Sequence, residues 1–181
     1  MVIVLEGLEG TGKTSLAIRV CKRDSYQYIK TPPSEYNSVR SFVAAQNSPD
    51  MEFYFYLSGV FAVQSKLKPF KGARQHIIVD RYIHTPIAYH ARGAKFSYPA
   101  FEEARLLRAD LTIHVTCNAT ERVQRKEQRG FHLFERAEFD DEKIESYFRA
   151  VCDVEFCNEG SLEESCSRLS RLIAARVYKE S

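Results

Sequence analysis

The chain has 181 residues, 44% of them hydrophobic and 28% charged, with a net charge of +2. That length fits one domain, residues 1–181, with a sizeable core. A charge so close to neutral leaves no electrostatic footprint for nucleic acid or an acidic membrane surface, and no apolar run approaches the roughly 18 residues of a membrane span.

In chain order, the first element is the strand VIVLE, 2–6, which as part of the fold leaves no room for a signal peptide. The run EGLEGTGKTS, 6–15, follows it, and residues 13–22 read as a helix. A second strand, YQYIK (26–30), ends before Pro32 and Pro33. Residues 50–68 read as a long, aromatic-rich helix, and HIIVD (76–80) as a third strand. A helix over 98–109 precedes the fourth strand, LTIHV (111–115). Asn118 and Glu121 form a capping box for a helix over 119–129 that stops at Gly130. The fifth strand, VEFCN (154–158), leads to a helix over 161–178 capped by Ser161 and Glu164. The strands are near-continuously apolar or β-branched, as in a parallel sheet covered on both faces, and their alternation with helices predicts an α/β doubly wound fold. The five cysteines, 21, 117, 152, 157 and 166, are odd in number and lack a Cys-x-x-Cys pair. They read as reduced thiols of a cytoplasmic protein rather than a disulfide or zinc set.

Gly7-x-x-x-x-Gly12-Lys13-Thr14 fits the phosphate-binding loop, with a strand before it and a helix after it. Glycines 7, 10 and 12 let backbone N–H groups of the loop, Glu9 and Thr11 among its residues, turn toward an anion, and the helix entered at Lys13, Thr14 and Ser15 adds its positive end. Lys13 supplies a mobile charge for the β- and γ-phosphates of a nucleoside triphosphate, and the Thr14 hydroxyl a ligand for Mg²⁺. Asp80, ending the third strand, can hold the same cation, and Arg81 enters the same crevice with a guanidinium suited to phosphate. The absence of an Asn-Lys-x-Asp sequence argues against a GTPase switch. A small phosphotransferase remains, its second substrate expected at the carboxyl ends of the strands.

EGLEGTGKTS, DRYIHTPIAYH (80–90) and ADLTIHVTCNATERVQRKEQRG (109–130) together resemble the thymidylate kinase family across most of the chain. The resemblance implies a P-loop NTPase fold with a five-stranded parallel sheet, helices on both faces, and a lid, here the arginine-rich segment 118–139. It implies ATP and Mg²⁺ as cofactors, Lys13 as the P-loop lysine, Thr14 and Asp80 at the metal, and Arg81 on the acceptor's phosphate. It also places Glu9 near the acceptor's sugar and Tyr89 in the acceptor pocket. Since the loop itself carries no arginine, a lid arginine, Arg125 or Arg129, is expected at the transferring phosphoryl group.

Two departures bear on the substrate. Where the family has an arginine for the acceptor phosphate this chain has Lys30, whereas nucleoside kinases carry a carboxylate there as a base; Glu35 is poorly placed for that work. In the 50–68 helix, the family's base-reading arginine would fall at Val60 or Gly59. Among Phe53, Tyr54, Phe55 and Tyr56, one, Tyr56 or Phe55, is expected in the pocket and the rest in the core. Gln64 and His90 are further possible contacts to the acceptor. Lys30 and Arg81 favour a nucleoside monophosphate acceptor; a nucleoside or nucleotide-like small-molecule kinase is the alternative, followed by a non-catalytic nucleotide-binding protein. The apolar circumference of the 51–63 segment, and the family's habit of dimerising there, predict a homodimer.

Overall fold

The computed structural model describes residues 1–91, 105–129 and 140–177. Strands β1 (Val2–Glu6), β2 (Gln27–Lys30), β3 (Ile77–Asp80), β4 (Leu111–Thr116) and β5 (Val154–Cys157) form one sheet in the order β2-β3-β1-β4-β5, every pair parallel. The helices are α1 (Lys13–Asp24), α2 (Asn37–Ala45), α3 (Pro49–Ala62), α4 (Ala119–Arg129), α5 (Asp141–Val151) and α6 (Leu162–Val177), with short helical turns between some of them.

The unbroken apolar character of β1 follows from its central place. Alternate residues leave opposite faces of the strand. Ile3 and Leu5 pack with Leu16, Ala17 and Val20 of α1 and with Leu169 and Ile173 of α6. Val2 and Val4 pack on the other face with Phe53, Leu57 and Val60 of α3. Truncating one such side chain, Leu5→Ala for instance, costs about 2–5 kcal/mol.

Several boundaries differ from the sequence reading. The expected helix 50–68 is two pieces, α3 and a turn at Gln64–Leu67, because the helix ends at Val63. Pro49 at its first turn and Ser48, whose hydroxyl accepts the Met51 N–H at 3.3 Å, fix its start. Of the expected helix 98–109, residues 98–104 lie outside the described residues, and 106–110 are not helical. Helices α2 and α5 have no counterpart in the sequence reading. The signals are nonetheless present: Val39, Phe42 and Val43 in one, Ile144, Tyr147 and Phe148 in the other, each at the i, i+3, i+4 spacing of a helix face. The Ser161–Glu164 capping box is formed in both directions, Glu164 N–H to Ser161 Oγ at 3.2 Å and Ser161 N–H to Glu164 Oε2 at 3.1 Å. The Asn118 box is half formed: Asn118 Oδ1 accepts the Thr120 N–H, while Glu121 turns to Arg125. Residues 130–139 of the expected lid, Arg136 included, lie outside the described residues.

Parallel order brings the carboxyl ends of β2, β3 and β1 to one edge of the sheet. The loop at 7–12, the segment after Asp80 and the Thr31–Pro32 turn all begin there.

Candidate active site

The loop after β1 owes its shape to its glycines. Gly7 has φ +138°, and a Cβ there would lie 2.3 Å from the Val115 carbonyl oxygen. Gly12, at φ +86°, presses on Asn158, whose Nδ2 would lie 2.4 Å from an added Cβ. Neither position admits a side chain.

Lys13 enters α1 with its side chain folded back over the loop. Its Nζ donates to the Leu8 carbonyl and, at 3.1 Å, to Thr11 Oγ1. Burial holds the ammonium well below the usual lysine range, and the charge of Arg81 acts in the same direction. An anion bound at the loop would reverse that. Thr14 Oγ1 donates to Asp80 Oδ2 at 2.5 Å, and the Tyr28 hydroxyl donates to the same carboxylate at 3.2 Å. Thr14 and Asp80 thus present a hydroxyl and a carboxylate side by side, the hard oxygen donors Mg²⁺ takes alongside phosphate and water. Thr11 is buried and serves the loop's own structure, its Oγ1 donating to the Leu8 carbonyl at 3.0 Å. Ser15 is exposed on α1, outside the cavity described below.

Arg81 has φ 70°, a left-handed backbone for a residue with a side chain. That turn sends its guanidinium back across the loop, where Nη1 donates to the Gly7 carbonyl at 3.1 Å and to Thr85 Oγ1 at 3.2 Å. The group stands 5.8 Å from the centre of the Tyr89 ring. The Tyr89 hydroxyl accepts the N–H of Glu9 at 3.2 Å. Behind Arg81 sits Glu6, fully buried at the end of β1. Its Oε1 accepts the N–H groups of Tyr82 at 2.9 Å, His84 at 3.1 Å and Thr85 at 3.3 Å. Its charge is therefore spent on fixing the path of the chain after Asp80.

Lys13, Arg81, Lys30, Glu9, Gly10, Gly12, Thr14, Tyr56 and Tyr89 line one cavity of about 140 Å³, closed further by Arg40, Thr31, Pro32, Thr85, Pro86 and His90. Lys30 is exposed at its rim. Glu35 is exposed and lies outside the lining.

The aromatic run divides differently from expectation. Phe53 alone is deep in the core, Tyr54 is 50% exposed, and Phe55 packs on Tyr36 with ring centres 5.6 Å apart. Tyr56 is the aromatic of the cavity; its ring stacks on His90 at 5.0 Å and 11°. Neither Val60 nor Gly59 could be a base reader. Val60 is in the core, and a Cβ on Gly59 would lie 2.5 Å from Pro32 Cβ. Gln64 is not a lining residue: its Nε2 donates to the Tyr82 hydroxyl at 2.7 Å and its Oε1 accepts the Leu107 N–H at 2.8 Å.

Of the two arginines expected at the transferring phosphoryl group, Arg125 comes to the loop. Its Nη2 donates to Glu121 at 2.7 Å and to the Asn158 carbonyl at 3.4 Å, and its Nη1 would lie 3.5 Å from a Cβ on Gly12. That Nη1 is buried without a hydrogen-bond partner. Arg129 ends α4, and its side chain lies outside the described residues.

Four residues of the site escape sequence reading. Glu6 looks like the end of a strand. Asn158 looks like a loop residue, yet its Nδ2 donates to the Thr11 carbonyl at 2.7 Å, from the end of β5 past β4 to the loop after β1. Arg40 belongs to a helix that is itself unexpected. Glu52, buried, has Oε2 3.3 Å from Nδ1 of His90. Among the described residues no helix is long and apolar enough to cross a membrane, and all five cysteines are free.

Residues 5–162 match the profile of the family "Thymidylate kinase". A probable thymidylate kinase of Methanococcus maripaludis is 26% identical over 156 residues, 82% of this chain and 76% of that one. Among solved structures, thymidylate kinase from Candida albicans superposes with a TM-score of 0.75 at 17% identity, covering 96% of this chain and 91% of the other. Deoxyadenosine kinase from M. mycoides with bound dATP superposes with a TM-score of 0.69 at 18% identity, covering 96% and 100%.

Proposed function

The chain belongs to the thymidylate kinase family, and we propose that it transfers the γ-phosphoryl group of ATP to a (deoxy)nucleoside 5′-monophosphate. The observation that carries this reading is the charge of the cavity wall. Lys13, Lys30, Arg40 and Arg81 line it, and Glu9 is the only carboxylate among the described lining residues. Such a wall attracts a phosphate dianion, which is its own nucleophile, and offers little to deprotonate a sugar hydroxyl.

In this reading the N–H groups of Gly7–Ser15 and the Lys13 ammonium hold the β- and γ-phosphates of ATP. Thr14 and Asp80 hold Mg²⁺, which when bound neutralises charge on those phosphates. Arg81 grips the acceptor's phosphate and brings one of its oxygens in line with the γ-phosphorus. That oxygen forms the new P–O bond as the bond to the β-phosphate oxygen breaks, and ADP departs. Glu9 and Tyr89 face the acceptor's sugar, and Tyr56 its base. Arg125, and Arg129 with it, neutralise the equatorial oxygens as an arginine-rich lid over 118–139 excludes water. The whole chain works as one kinase domain in a reducing, cytoplasmic setting that suits its free thiols.

The nucleoside-kinase reading has one observation in its favour: Glu9 lines the cavity and is a carboxylate a 5′-hydroxyl could use. A coupled assay of ADP release decides between them, with each nucleoside run against its monophosphate at equal concentration. Turnover of monophosphates alone supports the proposal, and turnover of nucleosides alone refutes it.

We also propose a homodimer built on α2 and α3, where Val39, Phe42 and Tyr54 are 47%, 60% and 50% exposed. Sedimentation at micromolar concentration reads a mass near twice 20.9 kDa if this is right, and the monomer mass if it is not.

A further inference from the structure

We infer that Tyr28 of β2 is a positioning residue for the cation: it fixes the Asp80 carboxylate, so that the hydroxyl hydrogen of Thr14 stays on Asp80 and the Thr14 lone pairs face the cavity. The inference rests on the reading of Thr14 and Asp80 as the cation's residues, and holds for either class of acceptor.

Tyr28 reaches Asp80 because of the register of two strands. Tyr28 pairs with Ile78 and Lys30 with Asp80, so Tyr28, Ile78 and Asp80 leave one face of the sheet, the face covered by α1. Lys30, directly beside Asp80, is exposed at the rim of the cavity. A phenol two positions earlier has the length to run along the strand and end at the carboxylate. The Tyr28 hydroxyl donates to Oδ2 at 3.2 Å, and the Thr14 hydroxyl donates to the same oxygen at 2.5 Å. One donor comes from an edge strand, the other from the helix that follows the phosphate-binding loop. Rotation of the carboxylate would break both bonds together. Burial, and after it the charge of Asp80, pushes the phenol well above its ordinary value, so Tyr28 remains a donor across the neutral range.

Asp80 is 1% exposed and is not a lining residue of the cavity, whereas Thr14 is. The carboxylate therefore works on a cation from behind Thr14. A hydroxyl has one hydrogen and two lone pairs. While its hydrogen points at Asp80, Thr14 has only lone pairs to offer the cavity, which suits a cation and not a phosphate oxygen. If the carboxylate turned, that hydrogen would be free to reach the phosphates, and the cation would lose a ligand. Removing a partner that orients a metal-binding group in this way costs roughly 10- to 100-fold in metal affinity or activity.

The test measures binding of the non-hydrolysable β,γ-imido analogue of ATP by titration calorimetry, once with excess Mg²⁺ and once with EDTA. It compares the wild type, Tyr28→Phe, Asp80→Asn and the double variant. Tyr28→Phe keeps the ring and its packing and removes only the hydroxyl. The wild type is expected to bind more tightly with Mg²⁺. In Tyr28→Phe the Mg²⁺-supported part of the affinity falls about 10-fold, while binding in EDTA and the KM for the acceptor hold. In the Asp80→Asn background the same substitution changes nothing further, because it acts through that carboxylate. Electron paramagnetic resonance of Mn²⁺ with the analogue reads the weakening on the cation directly. An unchanged Mg²⁺-supported affinity in Tyr28→Phe, an equal loss with and without Mg²⁺, or an equal loss in the Asp80→Asn background overturns the inference. A wild type whose affinity ignores Mg²⁺ would overturn the cation reading with it. Neither result touches the choice between monophosphate and nucleoside acceptors, which the assay of ADP release decides.

Discussion

The Thr85 hydroxyl lies 2.5 Å from Oε2 of Glu6 and accepts a hydrogen bond from Arg81 at 3.2 Å, so a buried carboxylate holds the site's arginine through a single hydroxyl. Thr85→Val keeps the shape and removes both bonds. It should lower stability by about 1–3 kcal/mol, the usual result of leaving a buried charged acceptor short of a donor. It should also raise the acceptor KM with the KM for ATP unmoved. Urea unfolding and steady-state kinetics on one preparation check both, and an unchanged acceptor KM would show that Thr85 does not position Arg81.

Lys13→Met should fold, and should lose at least about 10²-fold in kcat, the scale of removing one electrostatic group from a transition state. Its stability is expected to depend on pH in a defined direction. The folded protein disfavours the Lys13 proton relative to the ordinary value of 10.5, so burying the charged form lowers stability at neutral pH. The wild type regains that stability as pH rises from the depressed value toward 10.5. Without nucleotide, Lys13→Met should therefore melt above the wild type at pH 7, and the gap should narrow by pH 10. Calorimetric melting at the two pH values measures it. A gap that widens would place the Lys13 pKa on the other side of its ordinary value.

Asn158→Ala removes the donor to the buried Thr11 carbonyl and opens space behind Gly12. The expected cost is about 1–3 kcal/mol of stability. The KM for ATP should rise while that for the acceptor stays constant, the reverse of the Thr85→Val pattern. Equal changes in both constants would mean that the substitution loosens the whole sheet edge rather than the loop.

Gly59→Ala drives a methyl group to 2.5 Å from Pro32, in the turn that walls the cavity proposed to take the acceptor. Overpacking of this kind costs about 1–3 kcal/mol. Because Thr31 and Pro32 must give way, acceptor binding should weaken along with stability. A thermal melt and the acceptor KM test this together; a loss of stability with an unchanged KM would separate the turn from the site.

The phosphate-binding loop was legible in the sequence because it is local. Strand, glycines, lysine and helix are contiguous, and the backbone angles at Gly7 and Gly12 demand the residues found there. Strands β1, β3 and β4 were legible for a similar reason, since burial on both faces leaves a continuous apolar run, while β2 and β5, at the two edges of the sheet and only partly buried, were legible from their β-branched and aromatic residues. Arg40 and Asn158 belong to the other kind of information. Asn158 is 147 positions from Thr11, and only the closing of β5 beside β4 brings it to the loop. Arg40 becomes a cavity residue because α2 lies against α3. Glu6 was read as the last residue of a strand, though a carboxylate on a fully buried strand must find donors, and the chain after Asp80 supplies them. The expected division of the four aromatics failed because α3 is covered on one side only, which leaves Tyr54 outside and Phe55 half covered.

Arg81 alone in the segment after β3 combines a long side chain with a left-handed backbone, φ 70°. Glycine adopts that conformation without the roughly 1–2 kcal/mol that a side chain incurs in it. A chain refined for folding alone would therefore carry glycine at position 81 and unfold less readily. This sequence keeps a residue in a left-handed conformation beside the carbonyl of Gly7, with its positive charge in the cavity. Stability and turnover are thus set against each other at a single peptide unit, and substitutions there should separate the two properties more cleanly than anywhere else in the cavity.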